Sequence, residues 1–322
     1  MEVDEEPSCS GSSTPRLCIF ISSAPANVAR RQSLRKSWFR YLDDASSLPE
    51  CYRKNVTIKF VISLEAQSEE LASEEAQYGD MVYVDAPQGY HMLWRKALAF
   101  FAWLEERACG SGGGGGGDEY DYQYVMHADD DSFVRLDLLL PLLVQWPRQR
   151  FYWGYVWDGS GNRVTAPIRN PANKSYMPEE QYPLDYYPPF ASGCGFVLSR
   201  DLVRALLAAE PLPDYRLLDP PFGIHLCGPP DLCVLPEGPV TPVHDDRVRP
   251  YRPIPIFRPD TLVQHYLRPE EMRPYYTQAL EAAAGGGGGG GADAGGSSQG
   301  AYGSSAPAQL YDQLVSLGLL RR

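Results

Sequence analysis

An α/β fold is predicted for this 322-residue chain, and three observations carry the prediction. Apolar, β-branched runs alternate with segments of helical patterning, the order that lays helices on a sheet. With 43% hydrophobic and 12% aromatic residues, the chain has the composition of a globular protein with a sizeable core. Three adjacent carboxylates, Asp129, Asp130 and Asp131, directly follow an apolar run. In open α/β sheets, ligands gather at such strand ends.

The first strand is expected at residues 17–22, followed by the loop Ser22-Ser23-Ala24-Pro25 and a helix over 28–39. On that helix Arg31 and Arg35 fall one turn apart, while Leu34 and Trp38 share another face. Residues 59–63 and 81–84 read as the next two strands. Residues 93–107 form an amphipathic helix whose Phe100, Phe101 and Trp103 face the sheet. The Gly-rich insert 110–117 reads as a flexible loop, because it lacks the Lys-Ser/Thr pair that a phosphate cradle needs. Tyr122-Gln123-Tyr124-Val125-Met126 reads as the buried strand that delivers the aspartates. A helix near Asp137 is interrupted or kinked at Pro141. Residues 150–157 and 194–198 read as strands, and Ser199 caps a helix over 201–209.

One domain is therefore expected over 16–279, between a flexible segment 1–15 and an Ala/Gly/Ser linker 280–308 with no means of burying a core. In 309–322, Leu310, Leu314 and Leu317 recur at helical spacing. A lone helix below about 12–15 residues is marginal in water, so disorder is the safer reading there.

A net charge of −12 and a pI near 4.9 argue against a nucleic-acid partner or a polybasic membrane surface. Seven cysteines show no CxxC zinc pattern, and the odd count leaves at least one unpaired. Asn55-Val-Thr57 and Asn173-Lys-Ser175 are glycosylation sequons, relevant only in the secretory pathway. No apolar run approaches the roughly 20 residues needed to span a bilayer, and residues 1–15 are acidic and Ser-rich rather than signal-like.

The aspartate triplet needs an explanation, since packed carboxylates raise one another's pKa unless a cation or hydrogen-bond donors hold them. Hard oxygen ligands suit Mg²⁺ or Mn²⁺, ions that bridge protein carboxylates to the phosphates of a nucleotide. The competing reading is a solvated acidic turn. An acidic protein that binds an anionic nucleotide also needs local positive charge, a role open to a divalent ion and to the arginines near Arg30.

The flanking residues break the tie. Tyr124-Val-Met-His-Ala-Asp-Asp-Asp-Ser-Phe-Val-Arg-Leu-Asp137 resembles the metal-binding segment of the β-1,3-glycosyltransferases, glycosyltransferase family 31. Further blocks follow in family order over residues 16–275. Arg30-Arg31-Gln-Ser-Leu-Arg35-Lys-Ser-Trp38 is similar to the first motif, and Tyr90, Lys96, Trp103 and Cys109 to the second. Tyr187-Pro-Pro-Phe-Ala-Ser-Gly-Cys-Gly-Phe-Val-Leu-Ser199 is similar to the third, and Leu262-Val-Gln-His265 with Pro269-Glu-Glu-Met272 to the last. Ordered blocks are far more specific than any single motif. Phe151-Tyr-Trp-Gly154 and His244-Asp-Asp-Arg247 look most like the galactosyltransferase branch that extends the proteoglycan linker.

The resemblance implies a GT-A nucleotide-sugar fold, with a mixed central sheet flanked by helices. It implies a metal-dependent, inverting β-1,3-hexosyltransferase that uses UDP-galactose, or alternatively UDP-N-acetylglucosamine, with a glycan or glycoprotein acceptor. It also implies a Golgi enzyme held by an N-terminal membrane anchor, which this sequence does not display. Carried over residue by residue, Asp131 and His265 are the expected ligands of Mn²⁺ or Mg²⁺, and Asp130 lies by the ribose and sugar. Arg30, Arg31, Arg35, Lys96, Asp129, Gly193 and Gly195 are expected at the nucleotide sugar.

The expected catalytic base is Asp219, in Leu218-Asp219-Pro220, where the family has Glu-Asp-Val or Asp-Asp-Val. The acidic neighbour and the valine are replaced, so an aspartate that only opens a turn is the rival reading. Ser192-Gly193-Cys194-Gly195 departs from the family's Gly-Gly-Gly, with Cys194 read as a small buried residue. Two classes stay open: the transferase, and a non-catalytic sugar-binding or chaperone relative.

Overall fold

The computed structural model describes residues 14–43, 47–109, 120–252 and 257–285. Residues 1–13, the Gly-rich insert, the linker beyond Gly285 and the segment 309–322 lie outside them, and so do the expectations made for those stretches. The chain divides into a unit Met1–Leu280 and a unit Glu281–Arg322, of which only the end of one helix is described.

The first unit is built around β1 (Leu17–Ser22), the expected apolar run. Then come α1 (Val28–Arg35), α2 (Glu50–Arg53), β2 (Val56–Ser63), α3 (Glu69–Tyr78), β3 (Met81–Val84), α4 (Leu93–Cys109) and β4 (Tyr124–Asp129). The second half supplies β5 (Phe133–Val134), α5 (Leu136–Leu143), β6 (Tyr152–Trp157), β7 (Phe190–Ser199), α6 (Arg200–Ala208) and α7 (Asp219–Cys227). It closes with β8 (Val243–His244), β9 (Val248–Arg249), β10 (Val263–Gln264) and α8 (Pro269–Gly285).

Seven strands form one sheet in the order β3-β2-β1-β4-β7-β6-β8. The four from β3 to β4 are parallel, while β7 runs antiparallel to both of its neighbours. The sheet is therefore mixed and flanked by helices, as the sequence led us to expect. Pairing of β1 with β4 sets Ser22 beside Asp129, so the loop after β1 and the aspartate triplet leave the sheet together. α4 covers this part of the sheet: Phe20 stacks on Phe100 at 4.9 Å and meets Phe101 edge-on at 5.5 Å. Trp103 is only partly buried and stacks on Phe100 from outside.

Local chemistry explains where the elements depart from the expected bounds. The helix expected over 28–39 ends at Arg35, and a short 3₁₀ turn over Trp38–Tyr41 follows. There the buried Trp38 indole donates to the Ser132 carbonyl at 3.1 Å, tying this turn to the aspartate loop. α5 runs through Pro141 and stops two residues later. The strand expected over 194–198 is longer, the ten-residue β7, which takes in Ser192 and Gly193, is buried throughout and has a neighbour on each side. Its glycines misled the reading because they serve packing: a Cβ on Gly195 would sit 2.9 Å from Val263. Ser199 does precede α6, but its hydroxyl accepts from the Phe151 N–H and does not cap the helix. α3, α7 and α8 were not anticipated, although Ser68 caps α3 and Gly79 ends it at φ 66°.

A second sheet, β5-β10-β9, sits beside the first. It is small, yet it carries His265 to the aspartates, and the Leu267 N–H donates to the Asp131 carbonyl at 3.0 Å. Cys51 is disulfide-bonded, whereas Cys18, Cys194, Cys227 and Cys233 are free.

Candidate active site

A cleft of about 850 Å³ opens where β1 and β4 end. Its floor is the triplet, and the sequence places each carboxylate differently. Asp130 turns back under the β1–α1 loop and is fully engaged: it accepts from Ser23 Oγ at 2.9 Å, Asn27 Nδ2 at 2.7 Å and Arg30 at 2.6 Å. Asp129 and Asp131 face His265, whose Nε2 lies 3.2 Å from one and 3.0 Å from the other. Ligand atoms of these three residues all fall within 4.8 Å of one another.

His265 is oriented from behind. Only a protonated Nδ1 can approach the Pro250 carbonyl at 3.3 Å as a donor, so Nε2 is the nitrogen turned to the carboxylates. Its ring stacks on Tyr266 with centroids 3.8 Å apart, and Tyr266 takes up a left-handed backbone, φ 59°, to do so. Burial disfavours an imidazolium here, but Asp131 and Asp129 outweigh it and hold the pKa of His265 above its usual value. Burial, reinforced by Asp131 and Asp219 and opposed by His265, pushes Asp129 up to about 7. Asp131 is held low, since hydrogen bonding and charge from His265 and Arg30 override its burial. Such a pocket favours a cation, whether a proton on His265 or a metal ion.

Asp219 lines the same cleft from the first turn of α7. Its Oδ2 accepts from the Gly193 N–H at 3.0 Å, and a Cβ on Gly193 would press on the carboxylate at 3.4 Å. The Gly193 carbonyl in turn accepts from Nδ1 of the fully buried His127 at 2.6 Å. Burial raises the pKa of Asp219, with the Gly193 N–H pulling the other way. Lys96 closes the cleft from α4; it is 2% exposed, and its only hydrogen bond among the described residues is a long one, 3.5 Å, to the Ser23 carbonyl. Burial lowers its pKa to about 8 against the attraction of Asp130.

Of the residues expected here, Arg30, Lys96, Asp129, Asp130, Asp131, Gly193, Asp219 and His265 all line the cleft. Arg31, Arg35 and Gly195 do not. Arg31 is fully buried in a forked pair with Glu74, and Arg35 pairs with Glu74 and Asp80. Glu74 draws both out of the cleft lining from α3, an element whose sequence signal was not read, although Arg31 still donates to the cleft-lining Ser23 and Ala24. Gly195 faces Val263. Sequence reasoning also passed over Asn27, Trp157, Lys174, Tyr251 and Tyr266, all of which line the cleft. Asn27 had a legible signal, a short amide side chain just before a helix. Trp157 and Lys174 flank an irregular stretch without periodicity.

Comparison with known proteins identifies the family. The galactosyltransferase family model matches residues 29–218, from α1 through the aspartate triplet to the residue before Asp219. Mouse "Beta-1,3-galactosyltransferase 6" is 36% identical over 215 residues, covering 63% of this chain and 58% of that protein. "Lactosylceramide 1,3-N-acetyl-beta-D-glucosaminyltransferase B" of Xenopus laevis is 28% identical over 201 residues, covering 60% and 48% respectively. The chain thus spans about half the length of the curated relatives it matches. Among solved structures, the WbbM bifunctional glycosyltransferase apo structure overlaps 63% of this chain and 36% of that one, at 14% identity and a TM-score of 0.32. Because the family match runs over more than half of its length, the chain belongs to the galactosyltransferase family.

Proposed function

We propose that the chain is a metal-dependent, inverting glycosyltransferase that moves galactose from UDP-galactose to a glycan or glycoprotein acceptor in β-1,3 linkage. One observation carries the reading: the Asp129, Asp131 and His265 cluster and the carboxylate of Asp219 share a single cleft, close enough that Asp219 shifts the pKa of Asp129. The mouse relative's name and the blocks at residues 151–154 and 244–247, which look most like galactosyltransferase II, favour galactose. The name of the Xenopus relative keeps N-acetylglucosamine as the second donor.

The donor set fits a small divalent ion. Two carboxylates suit Mn²⁺ or Mg²⁺, and an imidazole with Nδ1–H committed to a carbonyl favours Mn²⁺ of the two. The chemistry such an ion supplies when bound is neutralisation of the charge that develops on a departing diphosphate. Arg30 and Lys96 add fixed positive charge to the same end of the cleft.

Asp219 is the base in this reading. Withdrawal from water makes it more basic than a solvated aspartate, and its bond to Gly193 fixes its direction. The acceptor hydroxyl gives its proton to Asp219 as its oxygen bonds to the anomeric carbon. The bond from that carbon to the diphosphate oxygen breaks, the electron pair leaves with UDP, and the configuration inverts. Leu217, Leu218 and Pro220 surround the base with apolar surface, and the exposed Tyr251 meets Trp157 edge-on at 6.0 Å. Aromatic faces of this kind suit the C–H face of an acceptor sugar.

No helix among the described residues is long and apolar enough to cross a membrane. A Golgi lumenal location is proposed from the family alone. UDP release from UDP-galactose, measured with Mn²⁺ and a panel of glycoside acceptors, tests the function. Acceptor-dependent release that EDTA abolishes is expected. UDP binding without turnover on any acceptor would instead identify a non-catalytic sugar-binding relative.

A further inference from the structure

We propose that Glu74, on α3 and outside the cleft, is a positioning residue for the donor site, acting through Arg31 on the loop of Ser23, Ala24 and Pro25. The inference rests on the reading that this end of the cleft takes a nucleoside diphosphate. Arg31 is the link. A guanidinium has five N–H groups, and here each has a partner. Nε and one Nη fork onto the two Glu74 oxygens at 2.9 and 2.7 Å. The remaining hydrogens go to Ser23 Oγ at 3.2 Å, the Ala24 carbonyl at 2.7 Å and the Pro25 carbonyl at 3.2 Å. The side chain therefore clamps the loop to α3.

The clamp fixes a proton as well as a loop. Arg31 can only donate, so at Ser23 it occupies a hydroxyl lone pair and leaves the single hydroxyl hydrogen to point at Asp130, 2.9 Å away. The carbonyl of the same serine is the one hydrogen-bond partner of Lys96 among the described residues. Two of the charged groups lining the cleft thus lean on Ser23, Asp130 beside its bonds from Asn27 and Arg30, and the Ser23 hydroxyl is in turn fixed by Arg31 and Glu74. Arg35 provides an internal control. It pairs with Glu74 at 2.7 Å and with Asp80 through two bonds of 2.7 Å, yet donates to no cleft residue.

The experiment measures UDP binding by calorimetry in the presence of Mn²⁺, together with donor KM, kcat and Tm. Glu74→Gln replaces one acceptor of the fork with an amide that cannot accept. It is expected to weaken UDP binding and raise donor KM about tenfold, the worth of one hydrogen bond to a charged group, with kcat unchanged. Ser23→Ala keeps the Glu74–Arg31 pair and is expected to weaken UDP binding to a similar extent. Asp80→Asn should lower Tm and leave UDP affinity unchanged. The proposal is overturned if Ser23→Ala or Glu74→Gln binds UDP as the wild type does. It is also overturned if Asp80→Asn weakens UDP as much as Glu74→Gln at equal loss of Tm, since the effect would then be general loosening. A wild-type protein with no metal-dependent UDP binding would sink the donor-site reading, and this inference with it.

Discussion

Lys96→Met should make the protein more stable and worse at binding its donor. Lys96 is 2% exposed, and among the described residues its ammonium has one hydrogen bond, at 3.5 Å. Its pKa falls from 10.5 to about 8 on folding, because burial outweighs the pull of Asp130. At 1.36 kcal/mol per pKa unit, keeping that charge in the folded protein at neutral pH costs about 3 kcal/mol. Methionine fills similar volume without the charge, and about 1 kcal/mol moves Tm by roughly 2–4 °C in a domain of this size. A rise in Tm of roughly 6–12 °C at pH 7 is expected. The sign with pH follows from the depressed folded pKa. Wild-type stability is reduced below about 8 and recovers as pH climbs towards 10.5, so the advantage of the variant should shrink over that window. Thermal denaturation from pH 6 to 10 reads this directly. Calorimetry with UDP and Mn²⁺ should show affinity falling by one to two orders of magnitude, the loss of a charge-assisted hydrogen bond. A variant that melts below the wild type at pH 7, or that binds UDP unchanged, refutes the argument that Lys96 is held under strain for an anion.

Asp219→Asn can keep the bond from Gly193 through its amide oxygen but cannot take a proton. Its kcat should fall by about 10²–10⁴ with UDP-sugar affinity intact; near-normal transfer would reduce Asp219 to a turn residue. Asp131→Ala removes one carboxylate from the cluster with Asp129 and His265, and metal-dependent UDP binding should disappear from calorimetric titrations while the circular dichroism spectrum is kept. In a secretory host, Asn173 should carry an endoglycosidase-sensitive glycan and Asn55 should not. The Asn173 side chain is exposed, whereas Asn55 Nδ2 is committed to the Cys51 carbonyl at 2.6 Å. A peptide map with sugar on Asn55 alone would contradict this.

Much of the sheet was legible because its strands speak locally: residues 17–22 and 81–84 are short apolar runs, and the bounds of β1 and β3 match them. The triplet was legible for a different reason, since like charges at a strand end demand a partner whatever the fold. What stayed hidden depends on distant partners. Arg31 and Arg35 present a cationic face on the sequence of α1, and nothing local reveals that Glu74 lies 43 residues from Arg31 yet within 3 Å of it. Gly195 illustrates the same limit: its need to be glycine comes from Val263, on a strand of the other sheet. The cleft wall from Trp157 to Lys174 gave no signal because irregular backbone has no period to detect.

The two-residue strand β10 has a consequence for how the protein comes into being. Asp131 is available early in synthesis, but its partner His265 arrives more than a hundred residues later, directly after a strand that pairs with β5 by only two residues. A chain interrupted anywhere between them can close the parallel half of the sheet and still have no completed cation pocket. Arg30, Ser23 and Asn27 would already hold Asp130, and Arg30 would reach Asp131, but the imidazole between Asp129 and Asp131 would be missing until β10 has docked. Completion of this cluster therefore marks a late long-range contact of the domain, made only after most of the chain has been synthesised.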